Sequence, residues 1–434
     1  MKVVKFGGSS VADSEQFAKV KAIIDEDDQR KVVVVSAAGK SVAEKIKITD
    51  LLISLDKLRL NNSDYSEVLN KIVERFVRIK NNLHINFDIE NEISNIENNL
   101  KSCTSDYLIS RGEYLTAHLM AAYLGFRFID SADFMIFSNG EIDMSATADK
   151  FMNIYQNNET IVVPGFYGSN KNGDIQLMQR GGSDISGAIL ANILDADLYE
   201  NWTDVSGILM ADPRIVSKCK RIDSLTYGEL QELSYMGFNV FQEEAVQPVR
   251  IKNIPTKILN TNHPHSGGTL VVDKIKRDDK QLITGIAGKK NYTIITVKKY
   301  QLNKHIEILQ KVLSIFQKHH LAVDSVPSGT DSFRFMLQQS EVKGILQLVM
   351  SELKNNCNLD EFSVNDNIAL IAAVSTQLSS RPAIAGRIMS FLDKSLINIR
   401  LVIQEGSDMK IVFGVSNSDY ERTISNIYKN AVGQ

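Results

Sequence analysis

The chain has few cysteines, no long apolar run and almost no excess charge of either sign. Its 434 residues include three cysteines, Cys103, Cys219 and Cys357, widely spaced and with no C-x-x-C pair, so neither a disulfide framework nor a zinc site is indicated. The longest apolar runs are strand-sized and an apolar strand begins by Val3, which argues against a membrane-spanning helix and against a secretory leader. A formal net charge of -3 gives no electrostatic reason to expect nucleic acid or an anionic membrane as partner. The expected compartment is the cytoplasm. His263 and His265 flank a proline in a Pro/Gly/Ser-rich loop with no matching ligands nearby, so they read as loop residues and no metal site is expected. A P-loop is missing too. Ala38-Gly39-Lys40-Ser41, after the strand Val32 to Val35, imitates the end of one, but the first glycine would have to stand at position 34, which is Val34.

What is present is a length suited to two to four domains and, up to about residue 280, short apolar strands alternating with helices. That alternation predicts an α/β fold with a largely parallel sheet. Residues 66–101 differ, being charged and free of glycine and proline. They predict helices, either covering a ligand site or forming a solvated insertion.

Two glycine turns carry the chemistry. Val3-Val4-Lys5-Phe6 runs into Gly7-Gly8-Ser9-Ser10 and then a helix from about Ser14 to Asp25, with Phe17, Val20 and Ile24 on one face. A lysine ending an apolar strand before flexible glycines is placed to neutralise phosphate oxygens, or else simply reaches solvent. The second turn is Arg180-Gly181-Gly182-Ser183-Asp184, between a short strand at Gln176-Leu177-Met178 and a helical run over Ser186 to Leu194. A strand, glycine turn and helix start presents free backbone N–H groups to an anion. Arg180 adds a planar cation for a carboxylate or phosphate, and Asp184 is placed to orient a neighbouring lysine. A plain βα turn with a capping aspartate has the same pattern.

Beyond residue 282 the chain repeats itself. Val312, Phe316, Leu321, Val323, Val326 and Phe335 each meet an apolar residue 76 positions later, at Ile388, Leu392, Ile397, Ile399, Val402 and Ile411, and Ile294-Ile295 maps onto Leu370-Ile371. Two copies of a strand, helix, strand, strand, helix unit are expected.

Taken in order, the motifs resemble those of the aspartate kinases of the amino-acid kinase family. They are Lys5-Phe6-Gly7-Gly8-Ser9-Ser10-Val11; Ser36-Ala37 with Gly39 and Thr49-Asp50-Leu51; Ser110-Arg111-Gly112-Glu113-Tyr114; Val163-Pro164-Gly165-Phe166; the RGGSD turn; Trp202-Thr203-Asp204-Val205; and Ala211-Asp212-Pro213-Arg214. The resemblance spans nearly the whole chain. It implies an amino-acid kinase fold over 1–282 and two ferredoxin-like βαββαβ ACT modules, over 283–362 and 363–434.

It also implies a reaction, in which ATP, with Mg2+ carried on its phosphates, phosphorylates the side-chain carboxylate of L-aspartate. Lys5, Asp184 and Arg180 would be the catalytic residues. Ser36, Thr49, Asp50, Glu113, Arg180, Gly181, Gly182 and Ser183 would bind the amino acid, with Glu113 on its ammonium. Lys5, Phe6, Gly7, Gly8, Ser9, Thr203, Asp204, Leu209, Met210, Asp212 and Arg214 would meet the nucleotide. The loop Ser328, Gly329, Thr330, Asp331 and Ser332 resembles the family's effector loop for lysine or threonine, with backbone N–H groups beside Ser328 and Gly329 for a carboxylate and Asp331 for an ammonium. The second copy has Gln404-Glu405-Gly406-Ser407-Asp408 there, so one loop binds and the other pairs, or the two copies only dimerise. A homodimer or a dimer of dimers is the expected assembly.

One position departs from the pattern. Many relatives carry a lysine and a His-Pro pair after Leu-Ser-Tyr-x-Gly, whereas Ser234-Tyr235-Met236-Gly237 here leads to Phe238-Asn239-Val240-Phe241-Gln242-Glu243. The loss of that cation leaves open a kinase for a related amino acid and a non-catalytic amino-acid sensor beside the aspartate kinase.

Overall fold

Runs of β-branched residues buried on both faces make the centre of a parallel sheet, and this chain supplies three of them side by side. The computed structural model describes residues 1–178, 181–238, 243–276, 281–378, 381, 383–393, 395–404 and 409–432. They fall into two units, the first Met1–Ile208, Arg221–Gln231 and Asn239–Lys276, the second Leu209–Lys220, Glu232–Phe238 and Arg277–Gln434.

In the first unit β1 (Lys2–Phe6) is followed by α1 (Ser14–Asp25), β2 (Arg30–Val35), α2 (Ile48–Leu60), α3 (Ser66–Asn82), α4 (Ile89–Asn99) and α5 (Ser105–Leu124). Then come β3 (Arg127–Phe128), β4 (Ile136–Ser138), β5 (Glu141–Ile142), α6 (Met144–Ile154), β6 (Ile161–Pro164), β7 (Tyr167–Asn170), β8 (Ile175–Leu177), α7 (Gly182–Ile193) and β9 (Leu198–Thr203). The chain continues through β10 (Ser224–Thr226), α8 (Tyr227–Tyr235, of which Glu232 to Tyr235 are counted with the second unit), α9 (Glu243–Ile251), β11 (Thr256–Asn260) and β12 (Thr269–Val272).

Eight strands form the main sheet in the order β10-β12-β11-β9-β1-β2-β6-β3, parallel throughout except between β11 and β12. Helix α1 starts on Asp13, whose carboxylate accepts from the Gln16 N–H at 3.1 Å, and buries Phe17, Val20, Ile23 and Ile24 as its periodicity predicts. The charged segment after residue 66 is not a solvated insertion. Ile72, Phe76 and Ile79 of α3 and Ile89, Ile93 and Ile96 of α4 are buried in one apolar cluster with α2 and α5.

The second unit holds β13 (Gly285–Lys298), α10 (Ile306–Lys318), β14 (Ser332–Gln338), α11 (Gln339–Val342), α12 (Leu346–Asn356), β15 (Glu361–Val374), α13 (Ile384–Asp393), β16 (Leu401–Ile403), β17 (Lys410–Ser416) and α14 (Tyr420–Val432). Its five strands run in the order β14-β13-β15-β17-β16, all antiparallel. The repeat is visible in the packing: Val312 and Phe316 of α10 and Ile388 and Leu392 of α13 are buried at equivalent positions, as are Phe335 and Ile411.

The sheet is continuous across residues 362 and 363. β15 crosses that point, and the first half of β13, Gly285 to Lys289, pairs with the second half of β15, Leu370 to Val374. That first half therefore pairs with the second copy, although in sequence it stands at the start of the first.

Candidate active site

Lys5 lies one residue from the C-terminal end of β1, beside Val34 of β2 and Asn201 of β9. Its neighbours in the strand are buried, which holds the stem, while the head turns to Asp184 at 2.6 Å. Both side chains are nearly buried, and Asn201 donates to the same aspartate oxygen at 2.9 Å. In so dry a place the attraction between the two charges is far stronger than in water, and the hydrogen bond fixes its direction. The lysine does not simply reach solvent.

Asp184 comes from the first turn of α7, whose N-cap is Gly181 at φ 82°. That left-handed backbone is the reason for a glycine there. The next element packs with no slack: a Cβ on Gly165 would sit 2.7 Å from the Ser183 Cα, and one on Gly182 2.8 Å from the Phe166 ring. Phe166 itself adopts φ 78°, a strained conformation for a bulky residue, and its N–H donates to Ser186 Oγ at 3.1 Å. The start of the helix thus lies beside Lys5 through Asp184, whose own N–H is taken by the Gly181 carbonyl at 2.8 Å, and a helix start carries partial positive charge.

Glu113 projects from the middle of α5 and is 4% exposed. One carboxylate oxygen has no hydrogen-bond partner among the described residues, while the Ala37 N–H bonds to the group. Burial raises its pKa from the ordinary 4.5 to about 8, against smaller lowering by Ala37 and by the Arg111 charge. An unsatisfied buried carboxyl is costly and calls for a cationic donor.

These groups share one cavity of about 500 Å³, lined by Lys5, Ser36, Lys47, Thr49, Asp50, Ile53, Glu113, Phe166, Gly181, Gly182, Ser183 and Asp184. The sequence motifs at 5, 36, 49–50, 113 and 181–184 are therefore brought together from five separate stretches. Arg180 lies outside the described residues. Lys47, Ile53 and Phe166 were not singled out as site residues from the sequence. Lys47 is a second cation, exposed and without an ion pair among the described residues, and its only signal was its place just before the Thr49-Asp50-Leu51 motif.

Residues 1–260 match the Amino acid kinase family and residues 371–430 an ACT domain. Aspartokinase 3 of Bacillus subtilis is 36% identical, over 99% of this chain and 98% of that protein. The chain belongs to the aspartokinases of the amino acid kinase family. The crystal structure of Clostridium acetobutylicum aspartate kinase, described as an allosteric enzyme, is 41% identical with a TM-score of 0.93, covering 99% of this chain and 100% of that one. Escherichia coli aspartokinase III is similar in two complexes. With aspartate and ADP it is 26% identical with a TM-score of 0.76, over all of both chains. With lysine and aspartate it is 27% identical with a TM-score of 0.77, over 99% of each.

As in the aspartokinase motif, Gly7 and Gly8 follow Lys5, and the Gly7 N–H is held by the Trp202 carbonyl at 2.9 Å. Phe6 is buried against Trp202, ring centroids 6.0 Å apart. Gly8 approaches Gly39 so closely that a Cβ on Gly39 would lie 2.4 Å from the Gly8 carbonyl carbon. Ser9 lies in the 3-10 turn Gly8–Val11. Thr203 closes β9, and its hydroxyl bonds to Asp204 at 3.2 Å.

Leu209, Met210, Asp212 and Arg214 fall in the second unit. There the Met210 carbonyl accepts from Ile286 at 2.7 Å. Arg214 binds Asp212 at 2.6 Å, which holds that carboxyl below its ordinary range.

In the effector loop the N–H of Gly329 is taken by the Ser332 carbonyl at 2.8 Å, and Ser328 bridges to Phe333. The Gly329 N–H is thus not free for a ligand carboxylate, because the loop closes as a hairpin turn. Asp331 Oδ1 accepts from the Gln301 N–H at 2.8 Å, and the Thr330 carbonyl from Asn303 at 3.1 Å. Asn239 and the loop 405–408 lie outside the described residues. Among the described residues there is no cluster of three or more metal-ligating side chains and no helix long and apolar enough to cross a membrane.

Proposed function

We infer that this cavity transfers the γ-phosphoryl group of ATP to the side-chain carboxylate of L-aspartate, giving 4-phospho-L-aspartate, under feedback control from the ACT modules. The observation that carries the reading is the buried Glu113 with one unpartnered oxygen, in the same cavity as the Lys5–Asp184 pair. An ammonium beside Glu113 satisfies that oxygen and restores its charge.

A carboxylate is already a nucleophile at neutral pH, so no general base is required; the obstacle is the approach of one anion to another. Lys5, directed by Asp184, supplies a fixed cation toward the transferring phosphoryl group, and the N–H groups at the start of α7 add partial positive charge. Magnesium enters with the nucleotide as part of the substrate. Ser36, Thr49, Asp50 and Ser183 hold the amino acid by hydrogen bonds, and Arg180 is assigned its α-carboxylate. The Phe6 to Ser9 turn, Thr203 and Asp204 are assigned to the nucleotide.

Lysine is the expected effector, supported by the lysine complex of the Escherichia coli relative, with the 328–332 loop as its site. A homodimer or dimer of dimers working in the cytoplasm fits this reading.

The deciding experiment is coupled ADP release with a panel of amino acids. Turnover with aspartate well above that with glutamate and related acids is expected. Turnover with another acid makes the chain a kinase for that acid, and none with any makes it a sensor.

A further inference from the structure

Helix α3 carries a charge that the cavity does not contain. Arg75 is 2% exposed, and all of its hydrogen bonds go to backbone carbonyls. Nε and Nη2 donate to Ala12 O at 3.3 and 2.9 Å, Nη1 donates to Ile46 O at 2.8 Å, and Nη2 also donates to Gly39 O.

These three carbonyls belong to the backbone behind the cavity. Ala12 ends the turn that begins at Gly7 and Gly8. Gly39 follows Ser36, and Ile46 precedes Lys47 and Thr49. The two loops already touch, the Gly39 N–H donating to Gly8 O at 2.7 Å, and neither glycine leaves room for a Cβ. One turn along the helix, Arg78 pairs with Glu44 of the same loop. Buried carbonyls need donors, and a planar guanidinium serves several directions at once where an ammonium is a single point. Burial lowers the Arg75 pKa to about 10, which still leaves it charged at neutral pH.

We propose that Arg75 is a positioning residue for phosphoryl transfer: its guanidinium locks the turn after Gly7-Gly8 and the 36–47 loop into one frame, so that Ser36, Lys47 and Thr49 face the reacting groups together. The role rests on the phosphoryl-transfer reading of the cavity, but part of its test needs no turnover.

Hydrogen exchange and steady-state kinetics on full-length Arg75→Lys and Arg75→Met check it, at a temperature where melting curves show each protein folded. Arg75→Met should exchange faster over 7–12 and 36–48 while α5 and the second unit stay as in wild type. Its kcat/KM for aspartate should fall on the order of 100-fold, comparable to the loss of a preorganised group in a site. Arg75→Lys keeps the charge but cannot span three carbonyls, so it should recover part of both losses. A purely structural role would lower the melting temperature without this local change in exchange. A folded Arg75→Met with wild-type exchange in both loops and kcat/KM within twofold overturns the proposal. If Arg75→Met does not fold, Arg75→Lys decides, and full activity with unchanged exchange refutes the need for the guanidinium fork.

Discussion

Glu113 offers a quantitative test, because the free site raises its pKa to about 8 and the substrate ammonium should return it toward 4.5. Only the ionised form attracts that ammonium. The ionised fraction of the empty site is about one half at pH 8, about one eleventh at pH 7 and about one hundredth at pH 6, since each pKa unit corresponds to about 1.4 kcal/mol. KM for aspartate should therefore rise roughly fivefold from pH 8 to 7 and roughly tenfold more from pH 7 to 6, while KM for ATP changes little.

Binding at pH 7 should release about 0.9 proton per aspartate, read by calorimetry in buffers of different ionisation enthalpy. Glu113→Gln keeps the shape and removes the titration, so its KM should be high and flat across the same range, with no proton released.

The same shift has a stability consequence. The folded pKa lies above the unfolded one, so the unliganded protein holds this proton more tightly than the unfolded chain does. Its contribution is fully present below about pH 4.5 and is lost as the pH rises through about 8, a slope that Glu113→Gln should abolish. A wild-type KM that is constant from pH 6 to 8, with no proton release, would refute the assignment of Glu113 to the ammonium.

Three further outcomes are expected. Lys5→Met should lower kcat on the order of 100-fold, as for loss of one preorganised electrostatic group; near-normal turnover by a folded variant removes Lys5 from the mechanism. Asp331→Ala should weaken lysine inhibition at least tenfold in activity titrations, and should also lower the melting temperature slightly through the lost bond to Gln301 N; an unchanged inhibition curve takes the loop out of effector binding. Asn239→Lys should lower KM for ATP or raise kcat severalfold if that position faces phosphate in a dry site, and superimposable ATP saturation curves at fixed magnesium show that it does not.

The local pattern of the chain was enough for many of the elements and for the two glycine turns that carry Lys5 and Asp184, whereas Ser36, Thr49, Asp50 and Glu113 were placed in the site by the resemblance to the aspartate kinases. Phe17, Val20 and Ile24 recur at helical spacing and are buried on α1, and four consecutive valines at 32–35 make a strand covered on both faces. Lys5 and Asp184 were legible because glycines stand beside them, and backbone freedom next to a charged residue is a local property. The 76-residue repeat was legible because apolar residues recur at the same positions; most of them are buried in both copies, although Val402 is 39% exposed.

Other features depend on atoms far apart in sequence. That one oxygen of Glu113 has no partner follows from everything around α5. Phe166 and Lys47 enter the cavity by the paths of their backbones, and Arg75 looks in sequence like one more charge on a charged helix. The pairing of Gly285 to Lys289 with the second copy likewise has no local signal, since an apolar strand accepts any edge of matching register. Periodicity is set by near neighbours and so is written in the sequence. Desolvation, and the hydrogen bonds that answer it, are set by whichever segments the fold brings together, and only the tertiary structure decides them.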